Sequence, residues 1–343
     1  MTSIKRTEIS ELGEFKLIHH LTKNFPTSDQ TIKSIGDDTA VISPQESQVL
    51  VTTDFLIEGI HFDLSYTPLK HLGYKAVVVN VSDIYAMNGT PKHITMSIAI
   101  SNRFSVEALE EFYEGVKLAC EKYQVDLIGG DTTSSLKGFV ISVTAIGEAP
   151  KDKIVYRNGA KVGDSICVTG NLGAAFLGLQ ILQREKAVFL EDPNMKPMLN
   201  EENSYLIQRL LKPEAQRAAI QYLSQNNIVP TSMMDVSDGL SSEILHITSQ
   251  SNVGAVIEEK NIPIEQTAYD QAMKFNYDPT AIALSGGEDY ELLFTIDAKD
   301  VPMLQMNDTI SIIGEIVSKD QGVKLKTRSG NLYDITAQGW VSF

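Results

Sequence analysis

A chain of 343 residues exceeds one ordinary hydrophobic core and suits two domains. Its 44 Asp and Glu outnumber 29 Lys and Arg, for a formal charge of −15, which excludes nucleic-acid binding through a basic surface. No apolar run is long enough to span a bilayer, the start MTSIKRTEISELGEFK lacks the apolar core of a secretory signal, and Cys120 and Cys167 stand in no C-x-x-C pattern, so membrane, disulfide-scaffold and zinc-site classes are disfavoured and a cytoplasmic location is expected.

In chain order, Leu12, Phe15, Leu17, Ile18 and Leu21 have helical spacing. Residues 39–42 and 49–53 are β-like. Pro68 opens a helix that buries Leu69, Leu72, Ala76, Val77, Val81 and Ile84. A strand is expected over 93–100. Ser105 is placed to cap a helix running to Lys122, with Leu109, Phe112, Val116 and Ala119 inward. Strands over 125–128 and 139–147 close a first half. A second half starts at residue 150 with a strand over 166–169 and a helix over 172–183. A Pro- and charge-rich stretch over 184–213 mixes loop and helix, and another helix covers 214–224. Then come a strand over 233–235, a helix after Asp238, and strands over 255–257, 281–284, 292–296, 309–313 and 323–326. Strands and helices mixed in both halves give an α/β (α+β) fold of two domains, 1–149 and 150–343.

The aspartates carry the chemistry. They fall at the ends of apolar runs, beside glycine or small hydroxyl residues: IGDDTAVI at 35–42, LVTTDF at 50–55, NVSD at 80–83, DLIGGD at 126–131, MMDVSD at 233–238 and LSGGED at 284–289. Each one alone is an ordinary turn. Six in one chain form a pattern. Lys and Arg are sparse around them, and a buried, ionised, unpaired carboxylate costs several kcal/mol. Magnesium prefers carboxylate, hydroxyl and water oxygens and commonly holds substrate phosphates, which suits phosphoryl transfer. A chain this acidic needs such cations to hold polyanionic substrates at all. A P-loop, a G-x-G-x-x-G turn after a strand and the protein-kinase motif set are all missing. GNLG at 170–173 matches the glycine fingerprint only in part. It marks a tight turn with close packing.

The ordered set GDDTAV, TTDFLIEGIHF, NVSDIYAMNGTP, DLIGGDT, RNGAKVGD, TGNLG, DVSDGL and SGGEDYELLFT resembles the thiamine-monophosphate kinase family, within the aminoimidazole-ribonucleotide synthetase superfamily. The resemblance runs from Gly13 to Trp340. It implies an N-terminal mixed sheet that forms a barrel with its copy in a homodimer, and a C-terminal α/β domain over the nucleotide. It implies direct in-line transfer of a phosphate from ATP to thiamine monophosphate. Magnesium would be held by Asp38, Thr52, Thr53, Asp54, Asp83, Asp131, Asp235 and Asp238. Tyr113, Gly130, Asp131, Arg157 and Ser237 would meet ATP, and His61, Glu288 and Trp340 the thiamine phosphate. Asp83, Asp131, Arg157 and Asp238 would be the catalytic set. Arg157 is otherwise an exposed loop arginine, Trp340 a core anchor and Tyr113 a packing residue. Asn158 and Val162 stand where the family has serine and proline, and Tyr85 and Asn88 replace small residues. Other superfamily members and a non-catalytic nucleotide or metal binder are the alternatives. The reactive cysteine of selenophosphate synthetase and the C-terminal cysteine of the hydrogenase-maturation relative are absent from this sequence.

Overall fold

The computed structural model describes residues 20–25, 28–29, 31–33, 41–42, 47–192, 201–304 and 307–336. The chain divides into two units, Met1–Ile84 with Gly89–Asp152, and Tyr85–Asn88 with Lys153–Phe343.

In the first unit, β1 (Thr31–Lys33) and β2 (Val41–Ile42) pair antiparallel. A four-stranded sheet has the order β3-β6-β4-β5, from β3 (Gln48–Ile57), β4 (Thr90–Ile100), β5 (Asp126–Ser134) and β6 (Val140–Ala149). Only β4 and β5 run parallel. The helices are α1 (Leu69–Ala86) and α2 (Val106–Tyr123). As the sequence predicts, Ser105 caps α2, its side chain accepting the Ala108 N–H at 3.3 Å, and Leu109, Phe112, Val116 and Ala119 are buried. The two helices touch backbone to backbone. A Cβ on Gly73 would lie 1.9 Å from the Phe112 carbonyl, and one on Gly115 would lie 1.8 Å from the Lys70 carbonyl. Ile84 of α1 packs onto Gly147 of β6, so α1 covers one face of the sheet. Strand alternation sends Val49, Val51, Phe55 and Ile57 to the other face, where they are 48, 66, 58 and 37% exposed.

In the second unit, seven strands have the order β13-β12-β9-β11-β7-β10-β8. They are β7 (Ser165–Thr169), β8 (Ser232–Val236), β9 (Gly254–Glu258), β10 (Glu291–Ile296), β11 (Ile310–Val317), β12 (Val323–Lys326) and β13 (Leu332–Asp334). All pairs are antiparallel except β9 with β12. The helices are α3 (Ala174–Glu191), α4 (Glu201–Leu211), α5 (Arg217–Gln225), α6 (Leu240–Ser251), α7 (Gln266–Lys274), α8 (Pro279–Ser285) and α9 (Val301–Leu304). Strands β8 and β10 are buried throughout, and Ile166, Val168, Val236, Ile244 and Leu293 build the main core. Leu177, Ile181, Leu206 and Ala272 form a second cluster under α3, α4 and α7.

Several expectations need correction. The strand expected over 281–284 is helix α8. Asp278 caps it through the Thr280 and Ala281 N–H groups, and Pro279 takes the first turn. The acidic motifs do not all end apolar runs. Asp54 lies inside β3 and Asp131 inside β5, because ladder pairing with β6 and β4 carries both strands past their apolar stretches. Asp83 lies inside α1, in agreement with the helix expected from Pro68 through Ile84. The expected N-terminal helix lies outside the described residues apart from 20–22, which are helical.

Candidate active site

Each unit gathers its own acidic groups. On β3, alternation places Thr52 and Asp54 on the face that α1 covers. Thr52 Oγ1 donates to the Asp83 carboxylate at 2.6 Å. Burial, with the neighbouring Asp83 charge adding to it, raises the Asp54 pKa to about 6. Thr53 points the other way. Its hydroxyl donates to the Val143 carbonyl at 3.0 Å and accepts from Thr144 Oγ1 at 3.2 Å.

Asp131 is exposed, in the sheet row of Ser97, Ser142 and Phe55. Gly130 before it has φ +157°, and a Cβ there would lie 1.8 Å from the Met96 carbonyl. The parallel β4–β5 pair therefore requires glycine at this position.

His61 sits in a tight turn after β3. Its backbone N–H donates to the Ile57 carbonyl at 2.9 Å, and its Nδ1 accepts the Ile57 N–H at 3.1 Å. A neutral imidazole held this way carries its proton on Nε2. Glu58 secures the turn by accepting the Phe139 N–H at 2.8 Å and pairing with Arg103. Tyr113 is 8% exposed and packs edge-on to Phe25 and Phe112. Burial pushes its hydroxyl up to about 12. Of its two sequence readings, packing describes the side chain.

In the second unit, Asp235 is a buried member of β8, paired with Leu292 of β10. Ser237, Asp238 and Gly239 turn the chain into α6. Burial raises the Asp238 pKa, and the Glu288 charge adds to the rise while His246 opposes it. Glu243, in the first turn of α6, was not singled out in the sequence. It is 1% exposed and accepts the Asp238 N–H at 2.9 Å, while its Oε2 is buried without a hydrogen-bond partner among the described residues. Burial pushes it up to about 8, the N–H groups of Asp238 and of Glu243 itself oppose this, and the Asp238 and Asp235 charges add to it. Its one sequence signal is an acidic residue in a first helical turn.

The GGEDYE segment is laced to the same loop. Glu288 N–H donates to the Ser237 carbonyl at 2.7 Å and Tyr290 N–H to the Val236 carbonyl at 2.8 Å. Gly287 has φ +68°, and a Cβ there would lie 2.7 Å from the Ser237 carbonyl. Arg157 is exposed. Its loop is anchored by the Met233 N–H on the Tyr156 carbonyl at 3.1 Å and by Ser251 Oγ on the Arg157 carbonyl at 3.2 Å. Among the described residues no ion pair occupies its guanidinium.

Asp38 and Trp340 lie outside the described residues. Among the described residues, no three His, Cys, Asp or Glu side chains converge at metal-binding range. The structure brings together Thr52, Asp54 and Asp83 in one unit, and Asp235, Asp238 and Glu288 in the other, with Glu243 added. Part-buried carboxylates beside further carboxylates, with hard oxygen neighbours and few basic groups, suit a divalent cation chemically.

Residues 36–149 match the AIR synthase related protein N-terminal domain, and residues 161–326 match the corresponding C-terminal domain. The fold is thus that of an AIR synthase related protein. Thiamine-monophosphate kinase of Aquifex aeolicus is 38% identical over 84% of this chain and 87% of its own length. That of Buchnera aphidicola subsp. Schizaphis graminum is 38% identical over 92% of this chain and 94% of its own. The structure of AaThiL complexed with AMPPCP and TMP superposes with a TM-score of 0.76 at 34% identity, covering 100% of both chains. Within the AIR synthase related proteins, the chain belongs to the thiamine-monophosphate kinase family.

Proposed function

We propose that this protein transfers the terminal phosphate of ATP to thiamine monophosphate, yielding thiamine diphosphate and ADP. The observation that carries the proposal is the likeness, through both units, to a relative complexed with AMPPCP and TMP.

The acceptor is a phosphate oxygen that is ionised near neutral pH, so the reaction calls for positioning and charge neutralisation rather than a strong base. In this reading magnesium is held by Asp38, Thr52, Thr53, Asp54, Asp83, Asp131, Asp235 and Asp238. Bound there, the metal supplies positive charge shared between carboxylates and phosphate oxygens. The chain's own residues orient the substrates. Arg157, unpaired with any carboxylate among the described residues, fixes a phosphate by bidentate hydrogen bonds. The Gly130 main chain and the Ser237 hydroxyl meet ATP. His61 offers its Nε2–H to thiamine monophosphate, with Glu288 and Trp340 as the other contacts. The upward shifts of Asp54 and Asp238, caused by burial and by neighbouring carboxylates, support the metal reading.

The same reading includes a homodimer, supported by the exposed apolar row on β3, and a domain boundary at 149/150, near the unit division at Asp152 and Lys153. No helix among the described residues is long and apolar enough to cross a membrane, which accords with a cytoplasmic location.

The test is a coupled ADP-release assay over a panel of phosphorylated vitamins and nucleotides, with magnesium and with chelator. Turnover is expected with thiamine monophosphate and is lost on chelation. Asp83→Asn and Asp131→Asn should each cut kcat by at least about a hundredfold without lowering the metal-free melting temperature. ADP release that does not depend on thiamine monophosphate defeats the substrate reading. Near-normal rates in both variants defeat the ligand set.

A further inference from the structure

Glu288 and Tyr290 both adopt left-handed backbone, at φ +62° and +52°. For residues with side chains this conformation costs about 1–3 kcal/mol each and persists only where the surroundings impose it. One restraint is the pair of hydrogen bonds to Val236 and Ser237 described above. The other is a buried charge network on the opposite side of Asp289.

Arg209 of α4 supplies it. Its guanidinium donates to the Asp289 carbonyl at 3.0 Å, the Glu291 carboxylate at 2.8 Å and the Asn171 carbonyl at 3.3 Å. Its side chain is 13% exposed, and those of Asp289 and Glu291 are 0 and 3% exposed. Thr169 Oγ1 donates to the second Glu291 oxygen at 2.6 Å. Asp289 Oδ1 is buried without a hydrogen-bond partner among the described residues, while Asp289 Oδ2 accepts the Gly173 N–H at 2.7 Å. It thereby caps α3, whose own N-cap, Gly173, has no side chain to do so. The glycines of the TGNLG turn allow this closeness. A Cβ on Gly170 would lie 2.2 Å from the Glu291 carboxylate.

We propose that Arg209 is a positioning residue, which holds Glu288 in the conformation that meets the thiamine-bearing substrate. The proposal rests on the reading of Glu288 as a substrate contact. Two of the three guanidinium bonds end on main-chain carbonyls, one of them on the residue after Glu288. All three bonds leave one nitrogen, Nη2, and a lysine ammonium ends one bond short of it.

The test is steady-state kinetics on Arg209→Lys, Glu288→Ala and the double variant. Folding is checked by near-ultraviolet circular dichroism, and Arg209→Gln is carried in parallel should the lysine variant not fold. Arg209→Lys is expected to raise the KM for thiamine monophosphate about tenfold, with the ATP KM within about twofold. In the double variant the KM should be no higher than in Glu288→Ala alone, because Arg209 acts through Glu288. Equal shifts in both KM values, an unchanged thiamine monophosphate KM, or multiplied effects in the double variant overturn the proposal and leave the Glu288 reading intact. An unchanged KM in Glu288→Ala itself overturns that reading, and the proposal with it.

Discussion

Asp289 concentrates the electrostatic tension of the second unit in one carboxyl group. Burial raises it from 3.8 to about 7, against the opposing pull of Arg209 and of the N–H groups at the start of α3. A carboxyl group whose pKa is higher folded than unfolded binds more protons in the native state between the two values. Its contribution therefore weakens as pH rises from about 4 to about 7 and levels off outside that window. Asp289→Asn keeps an oxygen for the Gly173 N–H and removes the titration. The stability difference, wild type minus Asp289→Asn, should fall across that window in urea titrations at successive pH values. A flat difference across that window, with any rise confined below about pH 4, would mean that Asp289 is held ionised by Arg209. Asp54 has the same sign of shift, with Asp83 as the adjacent charge.

At the scale of elements, the tightest demand is the α1–α2 crossing. A methyl group on Gly115 meets the Lys70 carbonyl at 1.8 Å, and backbone cannot swing aside as a side-chain tip can. Gly115→Ala should therefore cost roughly 3 kcal/mol, read as a lower urea midpoint. A change below about 0.5 kcal/mol would show that the helices separate freely. Helix α2 itself was legible from the sequence, since its cap and its 3.6-residue periodicity agree. Helix α8 was not. Residues 281–284 are a short run with little period, and the Asp278-Pro279 start signal was outweighed by their apolar character. The acidic motifs were legible as motifs, and Asp83 fell inside the helix expected from Pro68 to Ile84, but Asp54 and Asp131 inside strands were not, because their β-like apolar runs stop short of them. Arg209 carried no sequence signal. Its partners lie 38 to 82 residues away, and a buried charge shows itself only once the chain is folded.

At the scale of the molecule, the homodimer reading sets an apolar face against a net charge of −15. Val51 and Phe55 are 66 and 58% exposed on β3, more than a solvated sheet face calls for. Phe55→Asp should leave a monomer in sedimentation velocity while keeping the far-ultraviolet spectrum, and added salt should tighten wild-type association by screening two acidic chains. An unchanged sedimentation coefficient in Phe55→Asp would place the contact elsewhere. The cap on α3 also orders events during synthesis. Asp289 follows Gly173 by 116 residues, so at ordinary translation speeds the first turn of that helix leaves the ribosome on the order of ten seconds before its partner. Through that interval the nascent second unit exposes bare amide groups at one helix end and has no closing strand, so the final third of the message completes a fold begun near its middle.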